Sequence, residues 1–144
     1  MWSVPILVYF GYPQAHEDDA LRAVHTGLGI REAVEALNTG LESAKGITLA
    51  VRLGIHTGLV VVGEMGGKGR QEQLALGKVP NVASRIQGLP EPKTLVVSDA
   101  TYRLVEGYFT SESLGEHTLR GVSQPLNIYS WLRVLQLLLT SCNI

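Results

Sequence analysis

Cysteine is almost missing from this chain of 144 residues, which contains only Cys142. A single cysteine cannot form a disulfide within the chain, so a reducing compartment is indicated and we expect a cytoplasmic protein. Long hydrophobic runs are missing too, because the apolar run at Val134–Leu139 is far shorter than the roughly 20 residues that cross a membrane. Met1–Phe10 has neither the basic start nor the cleavage site of a signal peptide. We therefore expect no association with a membrane.

An excess of charge of either sign is missing as well. The formal net charge is −1 at pH 7, with 17% charged and 45% hydrophobic residues. Such a neutral chain gives no reason to expect a general nucleic-acid binder. Its hydrophobic share is typical of a globular protein, and its length suits one domain.

The stretch from Leu49 to Leu89 organises the rest of the chain. Apolar residues alternate up to Ile55, which predicts a strand with one buried face. His56-Thr57-Gly58 interrupts this strand, and a β-branched run resumes at Leu59–Val62. Gly66–Gly69 contains glycines that can take positive φ, as a tight hairpin requires. Gln71–Leu76 is then expected to be the return strand, and Pro80 to lie in the first turn of a helix.

Two polar residues of this helix face the same way. Asn81 and Arg85 are separated by four positions, so both side chains project from one helix face, one turn apart. An amide both donates and accepts hydrogen bonds, and a guanidinium is a fixed cation. Together they suit a ligand that carries a polar ring oxygen beside a phosphate. Val82, Ala83, Ile86 and Leu89 are expected to face the core.

The remaining elements are predicted from periodicity and turn residues. A strand at Ile6–Phe10 and a turn at Gly11–Pro13 precede a helix from His16 to about Leu37, which Asn38-Thr39-Gly40 is expected to end. Ser98 or Asp99 is the expected N-cap of a short helix. This short helix is expected to follow a strand at Thr94–Ser98 and to end at about Val105. The strands predicted after it are Phe109–Leu114, Glu116–Leu119 and a final strand at Leu126–Leu132.

One histidine and one run of acidic residues each allow a functional and a structural interpretation. His56 could act as a catalytic base with a pKa of about 6.5. We favour a structural role at the kink, because no nucleophile or carboxylate accompanies it in the local sequence. The acids in Glu17-Asp18-Asp19 could bind a metal ion, but we favour their matching the positive end of the helix dipole.

The segments L-G-I-H-T-G-L-V-V-V-G-E-M-G and L-G-K-V-P-N-V-A-S-R-I-Q resemble the catalytic domain of class III nucleotidyl (adenylyl/guanylyl) cyclases. The closest kind is the bacterial one that is often fused to an ATPase. The resemblance extends from about Leu7 to about Leu132, so residues 1–132 are expected to form a partial catalytic domain and residues 133–144 a tail. It implies an α+β, ferredoxin-like fold: a mostly antiparallel sheet with helices on one face, lacking the family's first strand and the two helices after it.

The resemblance also implies an activity and roles for particular residues. Family members act as homodimers that convert ATP to cyclic AMP and pyrophosphate, using Mg²⁺ or Mn²⁺, so a homodimer is one expected assembly of this chain. Asn81 matches the asparagine that orients the ribose, and Arg85 matches the arginine that stabilises charge on the α-phosphate. Arg120 resembles a basic residue near the triphosphate, although a solvated arginine in a turn is an equal alternative. Leu74 stands where relatives read the purine, but leucine cannot accept the adenine amino proton and could simply be core.

This chain departs from the family pattern at the metal site. Ser3-Val4-Pro5 stand where relatives carry one metal-binding aspartate, and none of these residues ligates a hard cation. The second aspartate belongs to the earlier strand, which this sequence does not contain, so we expect the metal ligands to be absent. Two functions remain open. One is a cyclase subunit with little or no activity alone, which a complete cyclase domain could supplement in a heterodimer. The other is a non-catalytic nucleotide-binding or dimerisation module.

Overall fold

The computed structural model describes residues 5–59, 78–89 and 94–134, with backbone alone for residues 131–134. Three helices and four strands alternate along this part of the chain. The helices are α1 (Asp19–Lys45), α2 (Lys78–Gln87) and α3 (Asp99–Val105), and the strands are β1 (Leu53–Ile55), β2 (Leu95–Ser98), β3 (Phe109–His117) and β4 (Leu126–Val134). The hairpin predicted at Gly66–Gly69 and the return strand predicted at Gln71–Leu76 lie outside the described residues.

The four strands form one mixed sheet in the order β1-β2-β4-β3. Strand β1 pairs with β2 in parallel, Leu53 opposite Leu95. Strand β4 pairs antiparallel with β2 on one side and with β3 on the other. The mostly antiparallel α+β fold predicted from the resemblance is confirmed.

The position of the helices differs in one detail from that prediction, because they cover both faces of the sheet. Leu95 and Val97 point to the face that carries α1 and α3, whereas Val96 points to the face that carries α2. Alternate residues of a strand face opposite sides, so the fully buried β2 separates two cores. The first core contains Val24, Leu28, Leu95, Val97, Val105 and Phe109, and the second contains Val82, Ile86, Val96, Leu119 and Ile128.

The predicted end of the first helix is wrong, because α1 continues through Asn38-Thr39-Gly40 to Lys45. The Asn38 amide does not terminate the helix but pairs with the backbone of Leu49, donating to its carbonyl at 2.8 Å and accepting from its N–H at 2.7 Å. Gly46 ends the helix instead, with φ of 63° and its N–H donated to the Glu42 carbonyl at 3.2 Å. A left-handed glycine is the usual helix stop.

The strand predicted at Ile6–Phe10 is also wrong. These residues form no strand with any described part of the chain, and their side chains are exposed, Ile6 to 82%. A strand requires a hydrogen-bonded neighbour, so a β-prone sequence alone does not form one. The turn predicted at Gly11–Pro13 is present, with Gly11 at φ of 93°.

Most predictions for the second half of the chain hold, but the two strands predicted at Phe109–Leu114 and Glu116–Leu119 are a single strand, β3, which ends at His117. Strand β2 is fully buried, and Ser98 caps α3 by accepting the Thr101 N–H. Strands β3 and β4 form the closing hairpin, with register shifts near Ser111 and Gly115. Within the described ranges, no helix has the length and apolarity needed to cross a membrane.

Helix α2 packs unusually close to β1 at Gly54. A Cβ atom at this position would lie 2.5 Å from the Gln87 nitrogen and 2.9 Å from the Ala83 carbonyl oxygen. Both neighbours are backbone atoms of α2, so they could move only if the helix moved. The missing side chain of Gly54 therefore sets the distance between the sheet and the helix that carries Asn81 and Arg85.

We expect Gly54→Ala to lower the free energy of unfolding by about 2 kcal/mol, because the added methyl group overpacks a backbone contact. The matched control is Gly40→Ala, since Gly40 is helical and nothing lies within 4 Å of its potential Cβ. That change should be neutral or stabilise by up to about 1 kcal/mol. Urea unfolding of both variants measures the difference, and equal midpoints would contradict the close packing described here.

Candidate functional site

Helix α2 presents Asn81 and Arg85 to solvent. Val82 and Ile86 are buried beneath them in the second core, so the polar face is fixed by apolar packing on its opposite side. Pro80 lies in the first turn, as predicted. Asn81 and Arg85 are both exposed and lie one turn apart beside the buried Val82 and Ile86, as the sequence spacing predicts.

Arg85 lies in an open groove together with Arg120, although the two are far apart in sequence. The groove has a volume of about 280 Å³ and is lined by Ser84, Arg85, Gly88, Leu89, Thr118, Leu119 and Arg120. Leu119 accounts for this proximity, because its buried side chain packs in the same core as Ile86. The turn that contains Arg120 is thereby attached to the end of α2.

The two guanidinium groups of the groove are not neutralised within the described ranges. The ion pairs there involve Asp19 and Asp99, and neither of these carboxylates reaches Arg85 or Arg120. Two cations beside one groove repel each other and attract an anion. The arrangement is thus suited to binding a phosphate or a carboxylate.

Not every candidate residue belongs to this groove. Asn81 does not line it and lies one helical turn before Arg85. Leu74 falls outside the described residues, so its assignment to the purine stays a prediction. Ser84 and Thr118 line the groove but were not singled out from the sequence. Ser84 could have been found, since it follows Asn81 by three positions on one helix face.

A divalent metal is part of what the resemblance implies, and the described residues do not fit one. Among them, no group of three or more histidine, cysteine, aspartate or glutamate residues could hold a metal ion. The acids at the start of α1 have local contacts instead: the carboxylate of Asp19 accepts the His16 N–H at 2.7 Å and lies 3.7 Å from an Arg22 guanidinium nitrogen. No chemical step is therefore assigned to a metal bound by these residues.

His56 belongs to a polar network outside the groove. Its Nδ1 atom lies 2.8 Å from the Ser98 hydroxyl, and the Thr57 hydroxyl lies 2.9 Å from that of Thr101. Ser98 and Thr101 are both fully buried, and their hydroxyls are 3.4 Å apart. Burial lowers the pKa of His56 below its ordinary value of 6.5. These contacts connect the end of β1 to the start of α3, as the structural interpretation of this histidine predicts.

Known proteins share the sequence pattern and the fold of this chain. The family model for the adenylate and guanylate cyclase catalytic domain matches residues 6–133. The chain therefore belongs to this family, which confirms the resemblance seen in the sequence.

Individual relatives show the same relationship. Adenylate cyclase 1 of Rhizobium meliloti is 30% identical over 131 residues, which are 90% of this chain but 18% of that protein. The crystal structure of the adenylyl cyclase CyaB from P. aeruginosa has a TM-score of 0.74 at 27% identity, over 85% of this chain and 64% of that one. The guanylate cyclase domain of RhGC from Catenaria anguillulae, solved with GTP, has a TM-score of 0.72 at 26% identity, over 87% of this chain and 65% of that domain. This chain thus spans less than two thirds of these solved domains.

The lowered pKa of His56 predicts how stability depends on pH. His56 binds a proton less readily in the folded protein than in the unfolded chain, where the pKa of a histidine side chain is about 6.5. We expect the free energy of unfolding to fall as the pH drops below about 6.5, until the folded-state pKa is also passed. His56→Gln should remove this part of the pH dependence, whereas His117→Gln should keep it. Urea unfolding between pH 7.5 and 5 measures this, and identical pH profiles for wild type and His56→Gln would contradict it.

Proposed function

We propose that this domain binds the phosphates of a nucleoside triphosphate in the groove and contributes one half of a nucleotidyl cyclase site. The main observation is that Arg85 and Arg120, from separate elements, line one groove without a described carboxylate partner. Asn81 lies one turn away on the same helix. Membership in the cyclase family supports a nucleotide as the ligand, and the relatives named above include an adenylyl and a guanylyl cyclase. We propose ATP as the substrate.

The proposed reaction closes a ring within the nucleotide. The ribose 3′-oxygen forms a bond to the α-phosphorus, the bond from that phosphorus to the bridging oxygen breaks, and pyrophosphate leaves with the electron pair. The 3′-hydroxyl proton passes to solvent. Arg85 would stabilise the negative charge that develops on the α-phosphate oxygens, Asn81 would orient the ribose, and Arg120 would hold the departing phosphates. Phosphoryl transfer of this kind depends mainly on positioning and electrostatic stabilisation.

We further propose that the domain alone has little or no activity. Where the resemblance implies a metal-binding aspartate, the sequence has Ser3-Val4-Pro5, which offers no carboxylate to a hard cation. A divalent cation would neutralise the triphosphate and assist the leaving group. A second cyclase domain that carries the metal ligands would supply this chemistry across a dimer interface.

The alternative is a non-catalytic nucleotide-binding or dimerisation module. The same groove would bind phosphates, but no partner would complete it for turnover. The missing acidic cluster among the described residues favours this alternative as much as it favours a heterodimer. Complementation by a partner distinguishes the two functions.

The test mixes this chain with a complete cyclase domain whose own equivalent of Arg85 is replaced by alanine. We expect the mixture to form cyclic AMP from Mn²⁺-ATP, because Arg85 of this chain supplies the missing cation. Arg85→Ala should lower that rate by about 10²–10³-fold, as for the loss of one group that stabilises transition-state charge. Arg103→Ala is the matched control, since this exposed arginine of α3 pairs with Asp99 and does not line the groove.

The outcomes separate the hypotheses. Nucleotide binding without any complementation would leave the non-catalytic module as the function. An absence of nucleotide binding, with or without divalent cation, would contradict both. Robust turnover by this chain alone would show that metal ligands exist elsewhere in it.

A further inference from the structure

Two of the residues that line the groove carry hydroxyl side chains, and the family resemblance gives no role to either. Ser84 comes from α2 and Thr118 from the segment after β3, and both line the groove beside Arg85 and Arg120. We infer that these hydroxyls donate hydrogen bonds to the phosphate group that the two guanidiniums attract, so that four side chains form one phosphate site. This inference rests on the proposed function, because it concerns the same groove.

The burial of Leu119 leaves its neighbours Thr118 and Arg120 at the protein surface, where both line the groove. Both flank Leu119, which is buried in the second core against Ile86. The Val122 N–H donates to the Leu119 carbonyl at 3.1 Å, so Leu119 is the buried first residue of a turn and Arg120 follows it on the exposed part of that turn. Thr118 and Arg120 are accordingly exposed, while Leu119 is 4% exposed.

Ser84 and Arg85 approach the groove from the helix. Both are exposed on α2 and line the groove. The carbonyl groups at the C-terminal end of α2 carry partial negative charge, which disfavours a bound anion. This effect is reduced here, because two of the last carbonyls already accept backbone hydrogen bonds. The Arg85 carbonyl accepts the Gly88 N–H at 3.2 Å, and the Ile86 carbonyl accepts the Leu89 N–H at 3.1 Å.

The composition and the size of the groove favour a phosphate over a larger ligand. A phosphate presents several acceptor oxygens, and guanidiniums and hydroxyls are donors that match them. The volume of about 280 Å³ lies just below the range of roughly 300–1,000 Å³ that small-molecule pockets occupy. One or two phosphate groups therefore suit this groove better than a whole nucleotide, whose base and ribose would lie outside it.

The test measures pyrophosphate binding to the whole chain by calorimetry in buffer with EDTA. We expect Ser84→Ala and Thr118→Val each to weaken binding by about tenfold, the usual effect of losing one hydrogen bond to a charged group. Ser84→Thr and Thr118→Ser keep the hydroxyl and should bind nearly as the wild type does. The controls are Ser43→Ala, an exposed helical serine of α1, and Ser123→Ala, an exposed serine between β3 and β4 outside the groove.

These variants should fold, which keeps the result interpretable. Alanine is favoured over serine in an exposed helix, and valine keeps the shape of threonine. Urea unfolding of each variant checks this independently of binding.

The outcomes distinguish this inference from the proposed function. If Arg85→Ala and Arg120→Ala abolish binding while Ser84→Ala and Thr118→Val bind as the wild type, the hydroxyls have no role and the inference is overturned, but the proposed function stands. If all four weaken binding and complementation nevertheless fails, the phosphate site stands and the cyclase activity does not. If the chain binds no pyrophosphate, the inference is overturned.

Discussion

The close contact between α2 and β1 at Gly54 is the constraint on which the candidate site depends. The backbone of α2 at Ala83 and Gln87 leaves no room for a side chain there. Gly58 is close to the start of the helix through a side chain instead, since a Cβ atom there would lie 2.6 Å from Cγ2 of Val79. Two glycines four positions apart therefore let the helix lie flat against this part of the chain. The position of Asn81 and Arg85 is thus fixed by backbone packing rather than by any polar contact of their own.

Apolar burial then brings the second cation to the first. Leu119 and Ile86 share the core under α2, and burying such side chains contributes about 1.5–3 kcal/mol each. That energy exceeds the repulsion between two exposed guanidiniums, which is about 1 kcal/mol at contact distance in water. The protein can therefore hold Arg85 and Arg120 beside one groove without neutralising either with a described carboxylate. An anion that binds between the two guanidiniums would offset their mutual repulsion.

What the sequence predicts well is local, and what it misses depends on distant partners. The Ser98 cap, the buried strand β2 and the shared face of Asn81 and Arg85 all follow from spacing within one element. The end of α1 was predicted wrongly because the amide of Asn38 pairs with Leu49, beyond the range of any turn signal. The strand at Ile6–Phe10 was predicted wrongly because β-propensity does not supply a neighbouring strand. The convergence of Thr118 on Ser84 had no sequence signal, since it follows from the burial of Leu119.

The exposure of the groove has a consequence for the proposed chemistry. Electrostatic stabilisation of a transition state is strongest where water is excluded, because the effective dielectric is then low. Asn81, Arg85 and Arg120 are all exposed in this chain, and the groove opens to solvent. Such a surface can bind a phosphate, but water would screen its cations during ring closure. A second protein surface over the groove would remove that water, so a partner would contribute dehydration as well as metal ligands. Under the proposed function, binding by the single chain and catalysis by a dimer would be two uses of the same residues.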